Sequence, residues 1–148
     1  MVLYNHVSHK IGNYAKELAS HIPEGGNWKN IPLSISDRRL DGIRATGGRT
    51  TYYGRLRWDA PSYTIATYFN HVGNGCNLHP SQQRVISTRE AARLQSFPDW
   101  YVFEGEYVKF HSDPLQDKYE QCGDAIPVLL VRALALKLKE ALDEIVNE

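Results

Sequence analysis

The stretch from His79 to Asp99, HPSQQRVISTREAARLQSFPD, constrains the fold of this chain more than any other. Arg84-Val85-Ile86 is extended and β-branched, which suits a short strand. Ser87 stands at the N-cap position of the next helix. Glu90 follows it at capping-box spacing, so each can satisfy a backbone N–H of the other. Ala91, Ala92, Leu94 and Gln95 favour a helix. Phe97-Pro98-Asp99 ends it, because a proline disfavours helical geometry at the residue before it. The expectation is a strand, a helix over Thr88–Ser96 and a hard stop.

Around this unit the chain is the size of one domain, 148 residues with a net formal charge of zero. Its charge is unevenly placed. Between Trp28 and Ala60 lie Lys29, Arg38, Arg39, Arg44, Arg49, Arg55 and Arg57 against Asp37, Asp41 and Asp59. Beyond Asp99 acids dominate, among them Glu104, Glu106, Asp117, Glu120, Asp143 and Glu144. A basic first half suits a polyanion, and ordinary surface charge is the competing reading. Two cysteines, Cys76 and Cys122, make no disulfide framework. With no signal peptide and no apolar run of membrane length, a cytoplasmic location is expected.

In chain order, Ser8–Ile22 is expected to be an amphipathic helix: Ile11, Tyr14, Ala15, Leu18, Ala19 and Ile22 share one face. Pro23 and Gly25-Gly26 end it. Leu33–Thr51 is rich in arginine and glycine. It reads as loop with one turn of helix at most, suited to phosphate contacts, with a solvated loop as the alternative. Tyr52–Phe69 reads as two strands joined at Asp59–Ser62, with Trp58 packed in the sheet. A hairpin is expected over Trp100–Phe110 around Gly105, and one or two helical turns over Pro114–Tyr119. Pro127–Val146 reads as a long helix with a Leu130, Leu134, Leu138, Ile145 stripe, opened by a proline where proline is tolerated. His6 and His9 lack partners at metal-ligand spacing and read as surface or capping residues. The Gly73-Asn74-Gly75 loop leads into Pro80 rather than a helix, so it is no nucleotide loop. Neither cysteine has an evident activating partner.

Several of these segments resemble the C-terminal part of the DNA cytosine-5 methyltransferases. The family block R-x-L-T-x-R-E-x-A-R-L-Q-x-F-P-D is met by Arg84, Arg89, Glu90, Ala92, Arg93, Leu94, Gln95, Phe97, Pro98 and Asp99, with Ser87 or Thr88 where Thr is usual. Tyr53, Gly54, Arg55, Leu56, Trp58, Asp59, Pro61, Ser62, Thr64, Ile65 and Thr67 resemble Y-G-R-L-x-W-D-x-P-S-x-T-I-x-T. Asn5-His6, Ile22-Pro23, Gly25 to Trp28 and Pro32 resemble a further family stretch. Tyr119 to Pro127 resembles the closing motif Y-x-Q-I-G-N-A-V-P, with Cys122 and Asp124 where an aliphatic residue and Asn are usual. The resemblance runs from about Asn5 to Leu136.

The resemblance implies an α+β fold with a small, mainly antiparallel sheet, flanking helices and a long C-terminal helix set somewhat apart. It implies a DNA-recognition domain over 1–126 and, over 127–148, a helix that packs on a partner's cofactor domain. The basic residues Arg38, Arg39, Arg44, Arg55, Arg57 and Arg84 are the candidate DNA contacts, and the resemblance sets Thr64 beside the backbone of a flipped nucleotide. It implies S-adenosylmethionine contacts at Gly123, Asp124 and Ala125. The family also requires a glycine-rich cofactor turn, a nucleophilic Pro-Cys and a Glu-Asn-Val. Neither cysteine here follows a proline, and no Glu-Asn-Val occurs. The chain alone is therefore expected to methylate nothing. The expectation is the recognition subunit of a split enzyme or an equivalent C-terminal fragment, acting on double-stranded DNA with a catalytic partner. Its beginning at Met1 and its stop after the last helix favour a natural subunit. The alternative is a free-standing DNA-binding or regulatory module that buries its last helix or self-associates through it.

Overall fold

The computed structural model describes residues 3–107 and 116–146. Four helices, α1 (Asn13–Ser20), α2 (Arg38–Thr46), α3 (Thr88–Leu94) and α4 (Lys118–Asp124), surround two short strands, and a long helix, α5 (Val128–Val146), follows. The strands are β1 (Gly54–Arg55) and β2 (Cys76–Leu78). They pair in parallel, Gly54 with Cys76 and Arg55 with Leu78, across a register irregularity. The expected antiparallel sheet is thus corrected. The single Leu78–Val85 bridge is antiparallel among the described residues.

The second expected strand, Tyr63–Phe69, does not form. Its residues have strand propensity, but propensity needs a partner ladder, and β1 takes β2 instead. Ile65 and Phe69 turn inward while Tyr63, Thr64, Ala66 and Tyr68 face solvent. Gly54 explains the closeness of β1 and β2: a Cβ there would meet Cys76 Cα at 2.8 Å.

The capped helix forms as its spacing predicts. Ser87 Oγ accepts from Glu90 N (3.1 Å), and Glu90 Oε2 accepts from Ser87 N (2.7 Å). By contrast α2 replaces the expected loop. Asp37 caps it by accepting from Arg39 N and Leu40 N, both at 2.8 Å. Gly47, at φ 63°, ends it, with Gly48 N donating to Ile43 O. The glycines that break periodicity are its stop signal. α1 is shorter than expected, since it starts only after Gly12. No strand forms over 101–107, and the rest of the expected hairpin lies outside the described residues. The turns expected before Tyr119 are the start of α4; residues 114 and 115 lie outside the described residues.

Two apolar clusters form the core. One joins α1 and α2 to β2 through Leu18, Ile22, Trp28, Leu40, Ile43 and Leu78. The other joins α3 and α4 through Ile86, Ala91, Ala92, Tyr119 and Cys122, with Leu56, Ile65 and Phe69. Buried Arg89 braces the second by donating to the carbonyls of Tyr4, Pro98 and Tyr101. α5 buries none of its residues. Its first turn is pinned to the end of α3, where Val128 N donates to Gln95 O (3.1 Å) and Leu129 N to Ser96 Oγ (2.9 Å). No described helix is long and apolar enough to cross a membrane.

Burial pushes the Glu90 carboxyl up, but hydrogen bonds from Arg84 and Ser87 outweigh it and hold the pKa at about 2 rather than 4.5. A depressed carboxyl pKa stabilises the fold above the unfolded value and loses that effect as pH falls through the folded value. The thermal midpoint should therefore drop between about pH 4.5 and 2. Glu90→Gln should lower the midpoint at neutral pH and flatten the profile across that window. Calorimetry over the range checks both.

Candidate nucleic-acid interface

The segment after β1 carries the site. Backbone of the 24–26 turn runs beside it: Arg55 N donates to Gly26 O (3.0 Å), and Trp58 N donates to Glu24 Oε1 (2.8 Å). Gly25, at φ 71°, takes the stem of Arg57 across its face; a Cβ there would stand 2.9 Å from Arg57 Cγ and Cδ. Residues 57–64 have no regular structure. Three cavities of about 230, 360 and 410 Å³ open along them.

The expected DNA-contacting residues divide into two groups. Arg55 is only 5% exposed. Its guanidinium donates to the carbonyls of Ala19, Ile22, His79 and Gln82 at 2.5–2.7 Å. Arg44 braces the carbonyls of Ile31, Pro32 and Ile35. Arg84 holds Glu90 through two 2.7 Å bonds. These three guanidiniums are engaged inside the fold. Arg38, Arg39 and Arg57 are exposed. Arg39 leans on Gly73 O and Asn74 Oδ1, and Arg57 pairs with Asp59 at 3.1 Å. Thr64 is exposed and lines the cavity of about 410 Å³ together with Gly123, Ala125 and Leu130.

Trp58 corrects a further expectation. It is 67% exposed rather than packed in a sheet, and its ring meets the His79 ring edge-on at 5.4 Å. His79 and Glu24 also take places at this site that the sequence does not announce. A local signal for the first existed in the His-Pro pair that breaks the chain after β2. The Glu24–Trp58 contact spans 34 positions and had none.

Gly123 packs against backbone: a Cβ there would stand 2.5 Å from Thr67 Cα. Asp124 is exposed and accepts from Gln116 Nε2 at 2.6 Å. Gly123 and Ala125 line the cavity of about 410 Å³, with the exposed Asp124 carboxylate between them in sequence. The cysteines are poor nucleophiles. Burial pushes the Cys76 thiol up to about 11 and Cys122 to about 12.

Residues 4–140 match the C-5 cytosine-specific DNA methylase family. This chain belongs to that family. It is 37% identical to the type II methyltransferase M.Eco47II of Escherichia coli, over 87% of this chain and 29% of that protein. It is 34% identical to DNA (cytosine-5)-methyltransferase 3 of Arabidopsis thaliana, over 95% of this chain and 10% of that protein. With type II methylase M.HgiDII of Herpetosiphon aurantiacus the identity is 35%, over 93% of this chain and 38% of the relative. The chain thus spans well under half the length of the relatives it matches. Members of the family use S-adenosylmethionine.

The two groups of arginines should separate in experiment. Arg55→Ala removes the guanidinium donor from four carbonyls, three of them in buried bonds, and should cost about 3 kcal/mol or more. Arg57→Ala should leave the urea midpoint unchanged. It should weaken duplex binding alike for all sequences and lower the slope of log K against log salt by about 1. Urea melts and a salt titration of duplex binding check these outcomes.

Proposed function

We propose that this chain is the DNA-recognition and closing portion of a DNA (cytosine-5-)-methyltransferase, inactive by itself and completed by a catalytic half on a partner chain. That half would supply the cofactor turn, the nucleophilic cysteine and the assisting glutamate, none of whose motifs this sequence carries. The observation that carries the reading is α5. Leu130, Leu134 and Leu138 are 51%, 56% and 66% exposed. Apolar residues occupy nearly every position of its first turns, and a helix apolar all round belongs in an interior. An exposed surface of this kind marks an interaction site.

In the assembled enzyme the roles divide by exposure. Arg38, Arg39 and Arg57 hold phosphates and set the register on double-stranded DNA. Thr64 lies against the backbone of the displaced nucleotide, because the ring carbon attacked is inaccessible within the stack. Arg44, Arg55 and Arg84 hold the loops that present these groups. S-adenosylmethionine supplies the methyl group when bound. Asp124 and Ala125 form one edge of its site: the carboxylate accepts from a hydroxyl or ammonium group and cannot donate as an asparagine would. The second reading, a free-standing regulatory module, needs α5 covered by the chain itself or by another copy. Its exposure favours the partnered enzyme.

The test is methyl transfer from labelled S-adenosylmethionine to duplex DNA, with this chain alone and with a separately expressed catalytic half. Activity is expected in the mixture and not with either part alone. Leu134→Glu should abolish reconstitution without lowering this chain's own melting temperature, since Leu134 is exposed in it. Activity of the chain alone, or a silent mixture beside intact DNA binding, would sink the proposal.

A further inference from the structure

The apolar residues of α5 are ordered about the centre of the helix. Val131, Leu134, Leu138, Leu142 and Ile145 follow one another at separations of three, four, four and three. That spacing keeps all five on one face of a helix. It also reads the same in either direction from Leu138. Each of the five is between 43% and 68% exposed. Among the described residues, backbone hydrogen bonds tie α5 to the body of the chain at its first turn, through Val128 and Leu129. From Val131 onward the stripe is open to a neighbour.

Charge is divided between the two halves of the same helix. Arg132, Lys137 and Lys139 precede Glu140, Asp143 and Glu144. A parallel neighbour of the same sequence would set basic half on basic half and acidic on acidic. An antiparallel one sets each basic half on an acidic half. Val131 then comes level with Ile145 of the other copy, Leu134 with Leu142, and Leu138 with itself. Arg132 and Asp143 are eleven residues apart, about three turns, so they share a flank of the helix. In the antiparallel pair each comes beside its counterpart on the other copy. Arg132 has no ion pair among the described residues. The Asp143 carboxylate, which accepts from Lys139 within the helix, has a second oxygen to offer. Antiparallel pairing also places the two folded bodies at opposite ends, since each is joined to the start of α5.

A patch on which residue i meets j while j meets i is what a two-fold dimer requires. We propose that two copies of this chain pair through α5, antiparallel, about an axis at Leu138. A helix of 19 residues is about 28 Å long, so each copy buries less than the roughly 800 Å² per partner of a standard interface. The dimer is accordingly reversible. It covers the leucines that the catalytic half would take, so the two assemblies exclude one another. The homodimer holds the apolar helix out of water until that half displaces it. The pairing itself does not depend on the catalytic half.

Sedimentation equilibrium over a concentration series tests the pairing. The chain should pass from monomer to dimer as concentration rises. Leu138→Glu sets two carboxylates against each other on the axis and should weaken the dimer about tenfold or more, the order for a central apolar anchor. It should leave the melting temperature of the dilute chain unchanged, because Leu138 is exposed there. Orientation is read by mild oxidation of cysteine variants, with the wild-type chain as the blank. Val131→Cys mixed with Ile145→Cys should give a disulfide-linked dimer, and Val131→Cys by itself should not. A chain that stays monomeric up to about 100 μM, above the micromolar end of the affinity range of protein pairs, overturns the proposal. So does a dimer indifferent to Leu138→Glu, an assembly larger than two, or Val131→Cys that links to itself. None of these measurements contains the catalytic half. Failed reconstitution beside a Leu138-dependent dimer would therefore sink the split-enzyme reading and leave this one standing.

Discussion

The buried guanidinium of Arg55 is the interaction on which the rest of this structure depends. It reaches the carbonyls of Ala19 and Ile22 at the end of α1 and those of His79 and Gln82 beyond β2. Two strands of two and three residues cannot hold these segments together by a ladder. A planar cation with five donors in a fixed fork can satisfy several carbonyls from different segments. Arg89 does the same between the first residues and the turn after Pro98. In a fold poor in sheet, charged side chains take over the work of satisfying buried backbone.

This arrangement bears directly on the interface. Once Arg55 fixes β1 against α1, the next residues emerge on the surface beside the 24–26 turn. Glu24 then holds the Trp58 backbone, and Gly25 accepts the Arg57 stem. β1 ends at Arg55, so the extended geometry that would set Arg55 and Arg57 on one face is lost, and one guanidinium is buried while the other is exposed. Two arginines two positions apart therefore differ in setting, one satisfying buried carbonyls and the other exposed and paired with Asp59. The close approach of Gly123 to Ala66 and Thr67 ties the closing motif to the segment bearing Thr64.

Much of the local structure was legible because its causes are local. The Ser87–Glu90 capping box spans three residues and formed as its spacing predicts. The long terminal helix follows from its run of helix formers. α2 was equally local in cause, through its Asp37 cap and its Gly47 stop, but the density of glycine and arginine masked it. The sheet misled because strand propensity does not name a partner. Tyr63–Phe69 has the composition of a strand and no ladder to join.

The sequence by itself determined the family, through motifs whose residues stand at fixed local spacing, and the helices whose caps and stops lie within a few residues of them. Only the tertiary structure decided which arginines face water, that β1 pairs in parallel with β2 across a 20-residue connection, and that Trp58 stands exposed beside His79. The physical reason is distance along the chain. A cap or a proline stop acts on neighbours, whereas burial of a guanidinium is set by carbonyls 24 to 36 positions away. Local spacing carries no record of those partners.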